Sequence, residues 1–309
     1  MVNTNSYAAE KRGKNPVKER EKGFRRWEPV GIGELQCWIG IIIYMGVVDI
    51  PAVKDYWKGG LYPDHGWTSY LSATRFEEIK RYFHISQCSD TPEQPPHFWH
   101  HKVDPLLNQL QWASQQYRLP STNITLDEAM IRCTGRSKDI TKMKGKPIEV
   151  GYKFHYLADH GYVWLCHPYS GSSGIDPVPS PSPPIPGLGH AQSTASMAYF
   201  MATQLPYRDH SFNLYCDNFY TSLGLFSALR DIGIGACGTA RANTKDFPSQ
   251  LNVPKKSAQA KQLEYNMRSG VISAEGGVAT LLWNDNGPVT MMTTLHTLKG
   301  RAASVQRVQ

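Results

Sequence analysis

The stretch Leu214-Tyr215-Cys216-Asp217-Asn218-Phe219-Tyr220-Thr221-Ser222 decides how the chain is interpreted. An apolar run that ends at Cys216 is typical of a short buried strand, and it stops at a carboxylate, Asp217. Residues 223–229 then carry apolar side chains at helical spacing. A strand that delivers an acid to its carboxyl end, beside the start of a helix, is a common way of building a site in an α/β sheet. The alternative is that Asp217 or Asn218 only caps the helix, which is the usual role of these residue types there.

A second acid, Asp127, lies inside another predicted strand. Residues 123–131 alternate between apolar and polar side chains and are rich in β-branched residues. We expect Leu126 and Ile131 to be buried, which would leave Asp127 at least half-buried and in need of a partner. Two carboxylates that converge on one sheet edge suit Mg²⁺ or Mn²⁺, because these ions prefer oxygen ligands and bridge to phosphates. Such ions activate the attacking oxygen and stabilise the leaving oxygen at a phosphodiester.

Basic side chains are dense in the segment that follows Asp127. They are Arg132, Arg136, Lys138, Lys142, Lys144, Lys146 and Lys153. Beside a pair of carboxylates, this density favours neutralisation of nucleic-acid phosphates. The alternative is a solvated loop, with Asp127 neutralised by a nearby arginine and Asp217 acting as a helix cap.

The net charge of +7 is concentrated in two segments. Residues 11–26 contain eight basic side chains against two glutamates, and residues 132–153 contain seven against two acidic ones. Residues 28–127 are net acidic, with seven basic and eleven acidic side chains. Such clustering favours a polyanionic partner. The six cysteines are scattered without a C-x-x-C pair, which is typical of reduced thiols in a cytosolic or nuclear protein and does not predict a zinc site.

Three regions follow one another along the chain. Residues 1–27 are polar, basic and without periodicity, and they predict a disordered arm suited to nuclear import or nucleic-acid contact. Residues 28–120 predict a helical domain, in which residues 35–48 are apolar nearly all round and should form a buried helix, too short to cross a membrane. Residues 121–309 predict a mixed α/β domain, in which helices flank a mixed sheet that ends in a β-rich addition.

Several motifs in this order carry a resemblance to a known family. They are Leu126-Asp127-Glu128-Ala129-Met130, Gly151-Tyr152-Lys153, Asp159-His160-Gly161-Tyr162, Asp217-Asn218-Phe219-Tyr220-Thr221-Ser222 and Gly238-Thr239-Ala240-Arg241-Ala242-Asn243. From about Trp27 onward the sequence closely resembles the piggyBac family of DNA transposases. The resemblance implies an RNase H-like catalytic domain that carries three Asp, behind a helical dimerisation and DNA-binding domain. It also implies cut-and-paste DNA transposition.

The resemblance assigns roles to individual residues. Asp127 and Asp217 would be the first two catalytic Asp, and both would bind Mg²⁺ or Mn²⁺. Residues 238–245 would form a turn that faces DNA. The candidate DNA-binding residues, from the basic segment and from this turn, are Arg136, Lys146, Lys153, Arg241 and Lys245. We therefore expect DNA as a partner, a homodimer, a location in the nucleus, no membrane association and no small-molecule cofactor.

The third Asp that the resemblance implies is not found in the chain. In the family it follows the strand that residues 288–292 resemble, whereas residues 298–309 contain no acid and Asp285 falls too early. We therefore expect a C-terminally truncated DDE-type transposase that is catalytically impaired, since a two-metal reaction loses most of its rate with one ligand. The alternative is a non-catalytic domesticated or remnant protein that acts as a DNA-binding or protein-interaction module.

Overall fold

The structure is a computed structural model of the chain. It describes residues 1–13, 26–60, 65–86, 99–170, 174–175, 178, 184–189, 193–244, 247–273 and 277–297. The chain folds as two compact units, Met1–Gln109 and Leu110–Gln309, so the border between them precedes the predicted border at residue 121. In the described ranges, no helix is long and apolar enough to cross a membrane.

The first unit is helical. It contains α1 (Val2–Gly13), α2 (Ile32–Val47), α3 (Ala73–Tyr82) and two 3-10 turns (Val53–Trp57 and Gly66–Ser69). A fourth helix, α4 (Asp104–Tyr117), begins in this unit and ends in the next. The side chains of Phe76, Ile79 and Tyr82 give α3 one apolar face, which is buried. The Ser72 hydroxyl caps the first turn of α3.

The prediction of a disordered arm over residues 1–27 is wrong for residues 2–13, which form α1. Thr4 and Ala8 of this helix are fully buried. The Asn5 side chain exchanges two hydrogen bonds, of 2.8 and 3.1 Å, with the main chain of Val30. Contacts with distant residues therefore hold a helix that has no apolar periodicity of its own. Residues 14–25 of the predicted arm lie outside the described residues.

The helix predicted near residues 35–48 is present as α2, but the prediction that it is buried is wrong. Only Trp38 and Ile41 are buried, whereas Ile32, Ile43 and Val47 are 68%, 65% and 81% exposed. The unit packs a single stripe of α2 against its core. Apolar composition on every face of a helix does not fix how many faces find a partner within one chain.

The second unit is built on one mixed sheet. Its strands are β1 (Asn123–Arg132), β2 (Thr141–Lys142), β3 (Val150–Asp159), β4 (Tyr162–Ser170), β5 (Gly174–Ile175), β6 (Asn213–Cys216), β7 (Gly235–Thr239), β8 (Arg268–Ile272), β9 (Ala279–Asn284) and β10 (Pro288–Thr293). Their order is β5-β4-β3-β1-β6-β7-β10-β9-β8, and β2 pairs with β3. Strands β1, β6 and β7 are parallel, whereas β3 is antiparallel to both β1 and β4. This RNase H-like arrangement confirms the predicted fold, and the β-rich addition β8–β10 continues the same sheet beyond β7.

Helices cover the sheet where the site is built. They are α5 (Thr194–Thr203), α6 (Leu223–Asp231) and α7 (Ala258–Gln262), with a 3-10 turn at Ser249–Leu251. The alternating strand positions Ile124 and Leu126 are fully buried in the same core as Leu214 of β6 and Leu225 of α6. This period of two fixes the face of β1 that meets the core, and with it the direction of every polar residue on the strand.

Candidate active site

The two predicted acids lie side by side at the junction of β1 and β6. In the parallel pairing of these strands, Leu126 is opposite Cys216, and Asp127 and Asp217 each follow by one residue. Neighbouring strands lie about 4.8 Å apart, so the fold brings the two carboxylates to adjacent positions. Both residues are exposed. Asp127 is thus not half-buried as expected. Of the two neighbours expected to be buried, Leu126 is buried, whereas Ile131, on the same face of β1 as Asp127, is 47% exposed.

A tight turn fixes Asp217. Its Oδ1 accepts a hydrogen bond of 2.8 Å from the Phe219 N–H. Its main-chain oxygen accepts bonds from the N–H of Thr221 at 3.2 Å and from the Thr221 hydroxyl at 2.9 Å. The cap of α6 is Ser222, whose hydroxyl accepts from the Leu225 N–H at 3.2 Å. The alternative that Asp217 or Asn218 caps this helix is therefore wrong, since the turn at Asp217 delays the start of α6 to residue 223.

Lys146 interacts through its charge with both acids and with Glu128. Its Nζ lies 3.3 Å from Oε1 of Glu128, whose side chain is only 9% exposed. Partial burial lowers the pKa of Lys146, but the hydrogen bond to Glu128 and the charges of Glu128, Asp127 and Asp217 outweigh it and raise the pKa above its ordinary value. Lys146 therefore stays protonated beside the carboxylates, where it can meet a phosphate.

A buried group of side chains lies behind the turn at Asp217. Lys153 and His155 occupy one face of β3 and are 6% and 0% exposed. The Lys153 Nζ lies 4.3 Å from the ring centroid of Phe219, and Nδ1 of His155 shares a hydrogen bond of 2.7 Å with the Tyr220 hydroxyl. The His155 and Phe219 rings are also nearly parallel, with centroids 6.2 Å apart. Two residues of β3 thus hold the two aromatic residues that follow Asp217-Asn218.

Burial sets the ionisation of this group. It lowers the pKa of His155 to about 3, with help from the charges of Lys153 and His167, so His155 is neutral at physiological pH. Burial likewise lowers the pKa of Lys153, and the charges of Glu128, Asp217 and Asp127 oppose that change. Burial, assisted by the same three carboxylates, raises the pKa of Tyr220, which therefore keeps its proton.

The candidate DNA-binding residues fall into different environments. Arg136 is exposed and, with Lys138, lines a shallow depression after β1. Arg241 is exposed, and its Nε donates to Oδ1 of Asn218 at 2.9 Å. Lys146 is partly exposed beside the acids, whereas Lys153 is buried against aromatic rings, where a phosphate on the surface does not reach it. Lys245 lies outside the described residues.

A half-open pocket of about 350 Å³ adjoins the turn at Asp217. Asn218, Arg241 and Lys255 supply polar groups to it, and Ala240 and Pro288 are among its apolar walls. Its lining includes two cationic side chains together with Asn218, the residue that follows Asp217.

The oxygen donors at this edge fit a divalent cation of the Mg²⁺ type. Mg²⁺ keeps several waters and is commonly held by one or two carboxylates together with substrate phosphates. Asp127 and Asp217 would supply those carboxylates, while Glu128 is engaged by Lys146. Among the described residues, no group of three or more His, Cys, Asp or Glu side chains could hold a metal ion. A pair of carboxylates can hold one such ion together with phosphate and water, whereas an arrangement of two ions needs a further donor.

Sequence reasoning missed the roles of Glu128, His155 and Tyr220. The pairing of β1 with β3 sets Glu128 directly opposite His155, and no local pattern predicts that register. A signal did exist in the alternation of β3, since Lys153 and His155 lie two residues apart and share a face with the buried Leu157.

The fold is that of an RNase H-like domain, with two carboxylates at one edge of its mixed sheet. The family model described as "Transposase IS4" matches residues 1–309. PiggyBac transposable element-derived protein 3 of Homo sapiens is 26% identical over 264 residues, which cover 84% of this chain and 42% of that protein. PiggyBac transposable element-derived protein 5 of Homo sapiens is 23% identical over 323 aligned residues, covering 99% of this chain and 56% of that protein.

A solved structure shares the fold. The piggyBac transposase in a synaptic complex with hairpin DNA, determined by cryo-electron microscopy, superimposes with a TM-score of 0.72 at 18% identity, covering 99% of this chain and 58% of that one. The chain belongs to the piggyBac-type transposases of the Transposase IS4 family. It spans about half the length of the relatives that it matches.

Proposed function

We propose that this transposase-derived protein binds DNA and presents the phosphodiester backbone to a single divalent cation held by Asp127 and Asp217. The observation that carries the proposal is the adjacent register of the two acids on β1 and β6. Arg136 follows Asp127 in sequence and Arg241 follows Asp217, and both side chains are exposed and can meet phosphates from the solvent side. DNA in the synaptic complex of the structural relative supports the same partner.

The residues at this edge would share the work of binding the cation and the phosphates. Asp127 and Asp217 would hold Mg²⁺ or Mn²⁺, which when bound supplies charge stabilisation at a phosphoryl oxygen. Lys146 would neutralise a phosphate beside them, because its raised pKa keeps it charged. Arg241, held by Asn218, would fix the strand next to the second acid.

We also propose that cleavage by this chain alone is impaired. Among the described residues, Asp127 and Asp217 are the carboxylates placed for metal at this edge, and Oε1 of Glu128 is tied to Lys146. Stabilising both the attacking and the leaving oxygen takes two ions and hence more donors than these. Supercoiled plasmid incubated with the protein and Mn²⁺ should therefore remain unnicked. Nicking that disappears in Asp217→Asn would contradict impairment and establish an active enzyme.

DNA binding is tested by fluorescence anisotropy with a labelled duplex across a range of salt concentrations. Arg136→Ala and Arg241→Ala should each weaken binding and lower the magnitude of the salt slope by about 0.9, the value for one lost phosphate contact. Lys261→Ala, at an exposed position of α7, also removes one positive charge and is the matched control. A wild-type protein without salt-dependent affinity, or three variants with equal slopes, would sink the proposal.

A second candidate function, a protein-interaction module that forms a homodimer, is favoured by the exposed face of α2. Ile32, Ile43 and Val47 leave a large apolar surface in water, which commonly marks an interface. Light scattering should show a dimer that Ile43→Glu converts to a monomer and that Tyr70→Glu, at a position 80% exposed in the same unit, leaves intact. A wild-type monomer at all concentrations would reject this candidate.

The location that fits these proposals is the nucleus. Residues 11–26 hold the dense basic run that suits import. A fluorescent fusion whose basic residues in this range are replaced by Ala should lose nuclear accumulation, and equal accumulation would reject the assignment.

A further inference from the structure

We propose that His155 is a positioning residue for the Asp217 carboxylate and that it acts through Tyr220. The inference rests on the proposed function, in that Asp217 is taken as a ligand of the divalent cation. It concerns buried side chains that neither bind DNA nor reach the cation.

His155 of β3 is linked to the turn through Tyr220. Tyr220 is 1% exposed, and its hydroxyl lies 2.7 Å from Nδ1 of His155, which is fully buried. The bond joins residues 65 apart in sequence, so it ties the turn to β3 and not to β6, the strand that precedes the turn. A buried hydrogen bond of this kind is costly to break, because the group that remains is left buried without a hydrogen-bond partner, either protein or water.

Tyr220 is in turn bonded to Asp217 through the main chain. The Tyr220 N–H donates to the main-chain oxygen of Asp217 at 3.3 Å, and the Thr221 N–H donates to the same oxygen. The intervening Phe219 donates its N–H to the Asp217 carboxylate itself. Whatever fixes Tyr220 therefore fixes both ends of the short turn that aims Asp217.

A second residue of β3, Lys153, also contacts the turn. Lys153, two residues before His155, lies over the Phe219 ring at 4.3 Å from its centroid. Alternation on β3 puts both side chains on one face, and consecutive residues of the turn receive them. Lys153, predicted to bind DNA, is better placed to support this turn.

The test measures Mn²⁺ binding by electron paramagnetic resonance of the full chain. Tyr220→Phe removes one oxygen and keeps the ring, so the variant should fold. Loss of a partner behind a metal ligand typically weakens affinity about 10-fold or more, and that is the expected effect here. Tyr215→Phe, on β6 itself, is the matched control and should bind Mn²⁺ like the wild type.

Variants of His155 separate positioning from simple packing. His155→Asn keeps a hydrogen-bonding group near the place of Nδ1 and should retain affinity within about 3-fold, whereas His155→Leu should lose about as much as Tyr220→Phe. The double variant Tyr220→Phe/His155→Leu should be no weaker than either single one, since both remove the same bond. Wild-type affinity in folded Tyr220→Phe would overturn the inference.

Hydrogen exchange keeps the inference testable if the wild type binds no Mn²⁺, an outcome that would reject the proposed cation site alone. Amides of residues 217–222 should exchange several-fold faster in Tyr220→Phe than in the wild type, while those of residues 225–229 within α6 stay unchanged. Equal exchange over residues 217–222 in a folded variant would overturn the positioning role whether or not metal binds.

Discussion

Asp127 and Asp217 occupy the same register on neighbouring strands, yet the molecule holds them by different means. Asp127 lies within β1, which is paired on both sides, with β3 and with β6. Asp217 lies beyond the last residue of β6, in a turn whose position depends on side chains. The backbone ladder therefore fixes the first acid, whereas the packing of Phe219 and Tyr220 fixes the second.

This difference indicates which of the two acids is more sensitive to substitutions elsewhere in the sheet. Substitutions of side chains outside β1 should leave Asp127 in place, because its main chain is paired with β3 and the preceding residue, Leu126, is paired with β6. The same kind of substitution in β3, β7 or the turn should reach Asp217.

The largest effect expected is the response to acid through His155. Its pKa is about 3 in the folded protein against an ordinary value of 6.5, so between these values only the unfolded chain takes up the proton. The free energy of unfolding should fall as the pH falls through this window, by up to about 1.4 kcal/mol per pH unit, or about 3 kcal/mol at about pH 4.5.

Urea unfolding at neutral and acidic pH measures this response. In His155→Asn the part of the loss that belongs to His155 disappears, so the variant should lose less stability than the wild type on acidification. An identical loss in both proteins would show that another group carries the acid response.

Gly238→Ala should destabilise the strand next to Asp217 by about 2 kcal/mol. A Cβ at this residue of β7 would lie 2.4 Å from Oγ1 of Thr221 and 2.5 Å from the main-chain oxygen of Cys216, so the turn or the strand must shift. Gly46→Ala is the control, because a Cβ there meets nothing within 4 Å and lies in a helix, where Ala is favoured over Gly. Chemical denaturation should separate the two, and equal stabilities would contradict the close approach.

The smallest effect expected is that of Ser222→Ala, about 1 kcal/mol for the lost cap of α6. Ser193→Ala is a matched change, since Ser193 caps α5 through a bond of 3.0 Å from the Ser196 N–H. Asp217→Asn should cost less than either in thermal unfolding, because Asp217 caps no helix. A larger loss in Asp217→Asn than in Ser222→Ala would restore the capping interpretation.

Much of the sheet could be predicted because its strands carry their own pattern. The alternation within β1 and β3, and the turn at His160-Gly161 between β3 and β4, give the hairpin and its neighbour. His160 and Gly161 both adopt positive φ, which a tight turn of this kind requires. Strand β8 was not predicted, because an edge strand that begins with Arg268 and is half-exposed has no clear alternation.

Other features of the structure could not be predicted from the sequence, because they depend on contacts between distant residues. Local propensity says nothing of the bonds that bring α1 to Val30, and charge says nothing of the aromatic rings that enclose Lys153. The positions of the two acids could be predicted because Asp217 follows an apolar run and Asp127 lies within an alternating strand. The support behind Asp217 could not, since it depends on the register of β1 with β3 and on a bond between residues 65 apart.

The order of the strands also has a consequence for how the site forms in time. Strands β1, β3 and β4 are neighbours in sequence and can pair as a local meander. The pairing of β1 with β6 joins residues as far apart as Asn123 and Asn213, 90 positions along the chain. Closing so long a loop is slow compared with forming a hairpin. The half of the site that carries Asp127 is thus expected to fold first, and the arrival of Asp217 completes the pair late in folding.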